Sequence, residues 1–205
     1  SGYVGIVGRP NVGKSTIMNA LLGQKIAIIS AKPQTTRSRI LSIMSDSDSQ
    51  VVFLDTPGFH NPKNKLGENM MKAVDNTIAD VDFLLMVVEP TTEIPSSEFK
   101  IMEKIGDIPA ILVINKADTL KKEELLPVIA AYSKAHEFKE ILFVSAKTGY
   151  RMDELKSVIK ENLYEGPMYY PEDMVTDQQE RQIIAEIIRE KMLNLLDKEV
   201  PHGIA

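Results

Sequence analysis

Residues 8–15 read Gly-Arg-Pro-Asn-Val-Gly-Lys-Ser, a G-x-x-x-x-G-K-S spacing between an apolar run and a helical pattern. In that context Gly8 and Gly13 let the backbone wrap closely around an oligophosphate. The amides of the loop that Arg9, Pro10, Asn11 and Val12 complete, and the N-terminus of the helix that Thr16 helps open, then face its negative charge. Lys14 is placed to reach the outer phosphates, and Ser15 to put its hydroxyl on Mg²⁺.

Three later clusters extend this chemistry. In Asp55-Thr56-Pro57-Gly58 the carboxylate can hold Mg²⁺ through water, and the Gly58 amide can sense a γ-phosphate. Such a turn alone is weak, and its distance behind the phosphate loop gives it this role. In Asn115-Lys116-Ala117-Asp118, the Asp118 carboxylate can accept from both N1–H and the exocyclic amine of guanine. Adenine offers no such donor pair, so Asp118 argues against an ATP-dependent enzyme. Ser145-Ala146-Lys147 can supply a backbone N–H to guanine O6. The set predicts a GTP/GDP pocket with Mg²⁺.

These clusters need a scaffold that brings strand ends together. Apolar runs at 3–7, 40–44, 51–54, 83–88, 110–114 and 141–144 read as six strands. The polar stretch 45–50 reads as a hairpin turn. The last three runs are continuously apolar, as in parallel strands covered on both faces. Helical patterns fall at 14–22, 66–78, 96–105, 123–135 and 152–162. The alternation predicts a doubly wound, mainly parallel α/β sheet with helices on both faces, whose ligands bind at the carboxyl ends of strands.

Composition narrows the class. The chain has 205 residues, 43% of them hydrophobic and 26% charged, so it can bury a sizeable core. With no cysteine it has no disulfide framework, thiolate metal site or cysteine nucleophile, which fits a reducing cytosol. Its net charge of −5 does not make a basic nucleic-acid binder. The charge is uneven: residues 167–205 hold four Lys or Arg against eight Asp or Glu. His60, His136 and His202 have no metal-site spacing. The segment 165–172 reads as a linker, and 180–196 as one long amphipathic helix carrying Ile184, Ile187, Ile188 and Leu195.

GRPNVGKS at 8–15, QTTR at 34–37, DTPGFH at 55–60, NKAD at 115–118 and SAK at 145–147 resemble the P-loop GTPases of the translation-factor class. YYPEDMVTDQ at 169–178, AEIIREK at 185–191 and VPHG at 200–203 are similar to the Era family, bacterial GTPases of small ribosomal subunit assembly. The resemblance covers the whole chain. It implies hydrolysis of GTP to GDP and phosphate as a switch in small-subunit assembly and ribosomal RNA maturation. The alternative is a GTP-gated RNA-binding assembly factor in which hydrolysis only resets binding.

Thr35 and Thr36 both qualify as the switch threonine, and the family pattern favours Thr36 as Mg²⁺ ligand beside Ser15 and Asp55. Lys14, Thr36 and Gly58 are then the groups acting at the reacting phosphate. Phe59 stands where related switches carry a water-positioning glutamine, which implies slow intrinsic turnover. Asn11 either caps its loop or holds K⁺ near the phosphates. Residues 30–38 and 59–66 are expected to be ordered by the γ-phosphate and Mg²⁺.

The resemblance divides the chain into a GTPase domain at 1–165, a linker at 166–178 and the opening of an RNA-binding KH domain at 179–205. The KH phosphate-clamping G-x-x-G loop is absent, so a truncated form with little RNA affinity is expected. Further expectations are a cytoplasmic location, peripheral membrane association at its inner face, and small-subunit ribosomal RNA as partner of the full-length family member. Because the linker reads as a spacer, the apolar stripe on 180–196 is expected to drive self-association rather than docking.

Overall fold

The computed structural model describes residues 1–29, 35–36, 39–59 and 65–195. Six strands form one sheet: β1 (Gly2–Val7), β2 (Ile40–Ser45), β3 (Gln50–Asp55), β4 (Phe83–Val88), β5 (Ala110–Ile114) and β6 (Glu140–Phe143). Their order is β2-β3-β1-β4-β5-β6, and only β2 runs antiparallel to its neighbour. The helices are α1 (Lys14–Leu22), α2 (Lys65–Ala79), α3 (Ser96–Ile105), α4 (Lys122–Ala135), α5 (Met152–Glu161) and α6 (Glu180–Leu195).

The α/β expectation holds, and the reason lies in the strands. β4 and β5 are buried at every position, because helices cover both faces of the sheet and leave no polar side to alternate with. Ile6, Ile17, Leu85 and Leu155 belong to the core on one face; Leu84, Met86, Ile101 and Tyr132 belong to the core on the other. Element ends differ from the sequence reading by at most one residue. Gln50 is the informative case: its polarity reads as turn, yet it pairs with Ser45 and is fully buried.

What buries Gln50 is the tail. Its side-chain carbonyl accepts from the Tyr169 and Tyr170 amides at 2.8 and 2.9 Å, and its NH₂ donates to the Tyr170 carbonyl at 2.9 Å. Farther on, the Ile43 amide donates to the Val175 carbonyl at 2.8 Å, and Thr176 forms an antiparallel bridge to Ser42. The Thr176 hydroxyl donates to the Leu41 carbonyl at 2.6 Å. The stretch read as a spacer therefore lies along the outer edge of β2, satisfying backbone groups that an edge strand leaves open.

This corrects the expectation that α6 is held apart from the α/β unit. The helix docks on the α/β unit of its own chain, through Arg189, Glu190 and Leu193, which are nearly fully buried. The apolar stripe is not the docked face: Ile184, Ile188 and Leu195 are 56%, 54% and 80% exposed. Residues 196–205, which carry the expected KH strand and His202, lie outside the described residues, as do His60 and most of the two expected switch segments.

Candidate functional site

The turn from β1 into α1 is held by its own backbone and by Lys14. The Gly8 carbonyl accepts from the Phe59 amide at 2.9 Å and from Lys14 Nζ at 3.2 Å. The Arg9 carbonyl accepts from Lys14 Nζ at 2.9 Å. Gly13 has a left-handed φ of 100°, and a Cβ there would lie 2.2 Å from Asn115 Nδ2. Gly58 is equally tight: its Cβ would meet the Pro10 Cα at 2.6 Å. Both glycines are needed for close approach of backbone segments. Burial pushes the Lys14 pKa down to about 8, against the pull of Asp55. A polyanion in the loop would add negative charge beside this desolvated ammonium and favour its charged form.

Oxygen donors converge beside it. Ser15 Oγ donates to Asp55 Oδ2 at 2.6 Å and lies 3.3 Å from Thr36 Oγ1. Asp55 Oδ1 is buried with no hydrogen-bond partner among the described residues. Burial pushes the Asp55 pKa up to about 6, opposed by Lys14, Ser15 and the Thr56 amide. An unpartnered carboxylate oxygen beside two hydroxyls fits a hard divalent cation such as Mg²⁺, which takes few protein ligands and keeps water and phosphate oxygens. Consistently, the described residues hold no cluster of three or more His, Asp or Glu suited to an all-protein metal cage.

The third corner is built from the ends of β5 and β6. Asn115 donates its side-chain NH₂ to the Val12 carbonyl at 2.8 Å and accepts from the Ala146 amide at 3.1 Å. Lys116 has a left-handed φ of 61°; its ammonium bonds the Asn11 carbonyl at 3.0 Å and pairs with Glu89. Asp118 sits on a single 3₁₀ turn (Ala117–Thr119) and is exposed toward the cleft. A hydrogen bond from Ser145 is the main cause that holds its carboxyl below the usual carboxylate range. An ionised carboxylate with open lone pairs is a double acceptor.

These corners line one cleft of about 620 Å³. Of the residues singled out from sequence, Pro10, Asn11, Gly13, Lys14, Ser15, Thr16, both switch-threonine candidates Thr35 and Thr36, Gly58, Asn115, Lys116, Asp118, Ser145, Ala146 and Lys147 line it. Gly8, Arg9, Val12, Asp55, Thr56 and Pro57 do not; they form its supporting wall. The Thr56 hydroxyl, for example, donates to the Ile6 carbonyl at 2.7 Å. The Phe59 ring packs in the core with Val74 and Ile78.

Several contributors were missed in the sequence. Ile28, Ile29, Met70 and Thr119 also line the cleft, and nothing in their local pattern marks them. Glu98 is fully buried and accepts from Arg9 Nε and the Tyr132 hydroxyl, each at 2.6 Å. Burial, with Glu98 beside it, pushes the Tyr132 pKa far up. The Arg9 side chain is thus tied to Glu98 on α3 and, at 3.8 Å, to Glu89, and so braces the loop between β1 and α1.

Residues 3–116 match the family described as 50S ribosome-binding GTPase. The whole chain is 52% identical over 208 aligned residues to the GTPase Era of Clostridioides difficile, spanning 70% of that relative's length. A solved Aquifex aeolicus Era variant bound to GDP and AlF₄⁻ is 42% identical, with a TM-score of 0.92 over 98% of this chain and 69% of that one. A structure of Era in complex with MgGDPNP and a segment of 16S ribosomal RNA is 41% identical, with a TM-score of 0.93 over the same shares.

Proposed function

Since the chain belongs to the Era family of GTPases, we propose that its cleft binds GTP with Mg²⁺ and hydrolyses it to GDP and phosphate, as a switch in small ribosomal subunit assembly and ribosomal RNA maturation. The carrying observation is the convergence of three kinds of chemistry on one cleft: a backbone loop with a buried ammonium, a group of hard oxygen donors, and a carboxylate double acceptor.

Roles follow from position. Amides of residues 11–16 bind the phosphates, and Lys14 offsets charge on the outer pair. Ser15, Thr36 and Asp55 would hold Mg²⁺, Asp55 through water. When bound, the ion neutralises charge that builds on the bridging oxygens. The Gly58 backbone packs against Pro10 and lines the cleft, and there it would steady the γ-phosphate with Lys14 and Thr36. Asp118 accepts from the two guanine donors, Asn115 and Lys116 brace the base-binding loop against the phosphate loop, and Ser145, Ala146 and Lys147 close over the base edge.

Hydrolysis adds water to the γ-phosphorus and releases phosphate from GDP. Phe59 cannot orient that water, since its ring is in the core. Intrinsic turnover should therefore be slow, and this favours the companion reading: GTP gates RNA binding and hydrolysis resets it. Asn11, at the rim of the cleft, is the group we assign to K⁺.

We read 1–165 as the GTPase unit, 166–178 as its connection and 179–205 as the opening of a KH domain, with small-subunit ribosomal RNA as partner. The description of the broad family names the 50S particle, whereas the relative matched over nearly all of this chain is solved with 16S RNA. The latter likeness is the more specific, and it supports the small subunit and a cytoplasmic site of action. No helix among the described residues is long and apolar enough to cross a membrane.

The test is titration of the purified chain with GTP, GDP and ATP, followed by phosphate release with and without Mg²⁺. Tight GTP and GDP binding, weak ATP binding and Mg²⁺-dependent release are expected. ATP binding as strong as GTP binding would overturn the reading.

A further inference from the structure

Helix α6 meets the phosphate-sensing side of the cleft through two charged residues. Arg189 Nη2 donates to the Thr35 carbonyl at 2.5 Å, while its Nε donates to Glu186 at 3.0 Å. Glu190 Oε1 accepts from the Ile29 amide at 3.0 Å, and Oε2 from Lys25 Nζ at 2.5 Å. Arg189 and Glu190 are only 5% and 4% exposed, so their bonds to the Thr35 carbonyl and the Ile29 amide are shielded from water, where charge-assisted hydrogen bonds are strong, whereas the Lys25 and Glu186 side chains remain partly exposed.

The partners are backbone groups of Ile29 and Thr35, which bracket positions 30–34. Thr35 is joined directly to Thr36, whose hydroxyl lies 3.3 Å from Ser15 Oγ at the metal corner. The contact from α6 therefore exists together with an inward Thr36. Apolar adhesion has a small part in it: Leu193 is buried, but Ile184, Ile188 and Leu195 on the same helix remain exposed. A helix that bonds one arrangement of a segment stabilises that arrangement by its differential contacts, and the effect is reciprocal.

We infer that Arg189 and Glu190 are positioning residues for GTP hydrolysis: they hold the segment that carries Thr36 against the metal corner, so that the reaction depends on the seating of α6. The inference rests on the reading of Thr36 as an Mg²⁺ ligand. It gives the segment after residue 179 a part in the reaction itself, separate from any RNA contact. It also predicts the converse: GTP with Mg²⁺, which draws Thr36 inward, tightens α6 on its seat, whereas GDP, lacking the γ-phosphate, does so less.

The experiment is single-turnover GTP hydrolysis by the full chain as a function of Mg²⁺ concentration, with GTP and GDP affinities measured alongside. The variants are Arg189→Ala, Arg189→Lys, Glu190→Gln and, as reference, Thr36→Ala. Arg189→Ala should raise the Mg²⁺ midpoint roughly five- to twentyfold and lower the preference for GTP over GDP by a similar factor, a range typical of site–site coupling. GDP affinity should stay within about twofold, because GDP does not recruit Thr36. Arg189→Lys should recover part of the shift, and Glu190→Gln should shift the midpoint in the same sense with less risk to folding.

A merely structural role would lower thermal stability and scale the rate equally at every Mg²⁺ concentration, leaving the midpoint fixed. If Thr36→Ala moves the midpoint and neither the Arg189 nor the Glu190 variants do, the inference is overturned while the Thr36 assignment stands. If Thr36→Ala leaves the midpoint unmoved, the Thr36 assignment falls and takes the inference with it.

Discussion

The side-chain NH₂ of Asn115, at the end of β5, donates to the backbone carbonyl of Val12 at 2.8 Å, across 103 residues of chain. One amide thus ties the loop after β5 to the loop between β1 and α1, and its own carbonyl continues the tie to Ala146. Gly13 is next to Val12, and no side chain fits between it and Asn115. The geometry makes the cleft a single unit rather than two sites that happen to be adjacent.

Asn115→Ala should weaken GTP and GDP alike. It leaves a buried carbonyl and an amide without partners, which costs about 1–3 kcal/mol for each such group. Nucleotide affinity should fall by roughly ten- to a hundredfold, with equal factors for GTP and GDP by isothermal titration. A loss confined to GTP would place the effect at the γ-phosphate and contradict the brace.

Glu98→Ala tests the support beneath the phosphate loop. It strands the buried Tyr132 hydroxyl and leaves Arg9 only its 3.8 Å pair with Glu89; the guanidinium is already about a quarter exposed, which discounts the loss. About 2–3 kcal/mol of stability should disappear, a drop of about 5–10 °C in Tm for a chain of this size. Tyr132→Phe should cost about 1 kcal/mol, because it removes a hydroxyl while the carboxylate keeps Arg9. Calorimetry showing both variants as stable as the parent chain would remove Glu98 from the framework.

The assignment of Asn11 makes a claim about salts. Phosphate release should run faster in potassium than in sodium at equal ionic strength, and Asn11→Ala should abolish the difference. Equal wild-type rates in the two salts would leave Asn11 as a loop residue whose carbonyl receives Lys116.

Much of the fold was legible because parallel strands covered on both faces write themselves as unbroken apolar runs, as at β4 and β5. The site was legible because its chemistry is local: eight consecutive residues make the phosphate loop, and the Asp55 and Asp118 motifs sit at strand ends. What stayed hidden was non-local. Glu98 is one more charge in the first turn of a helix until Arg9 and Tyr132 close on it. Gln50 reads as turn because its partners lie about 120 residues away. The tail was misread for a related reason. An apolar stripe is the strongest signal in an amphipathic helix, yet α6 docks by Arg189 and Glu190, whose backbone partners no periodicity records.

The central claim is that Asp118 makes this cleft a guanine nucleotide hydrolase site, and exchanging its acceptor for a donor tests it most directly. Xanthine carries a carbonyl where guanine carries its exocyclic amine, so an Asp118→Asn chain can give that position a donor where the parent offers an acceptor. Mg²⁺-dependent phosphate release should be measured for both chains with GTP and with xanthosine triphosphate. The parent chain should hydrolyse GTP and leave xanthosine triphosphate nearly untouched, and Asp118→Asn should reverse that order by roughly a hundredfold or more in relative affinity, the scale set by pairing or unpairing polar groups at a recognition edge. An Asp118→Asn chain that still binds and hydrolyses GTP as the parent does would contradict the account.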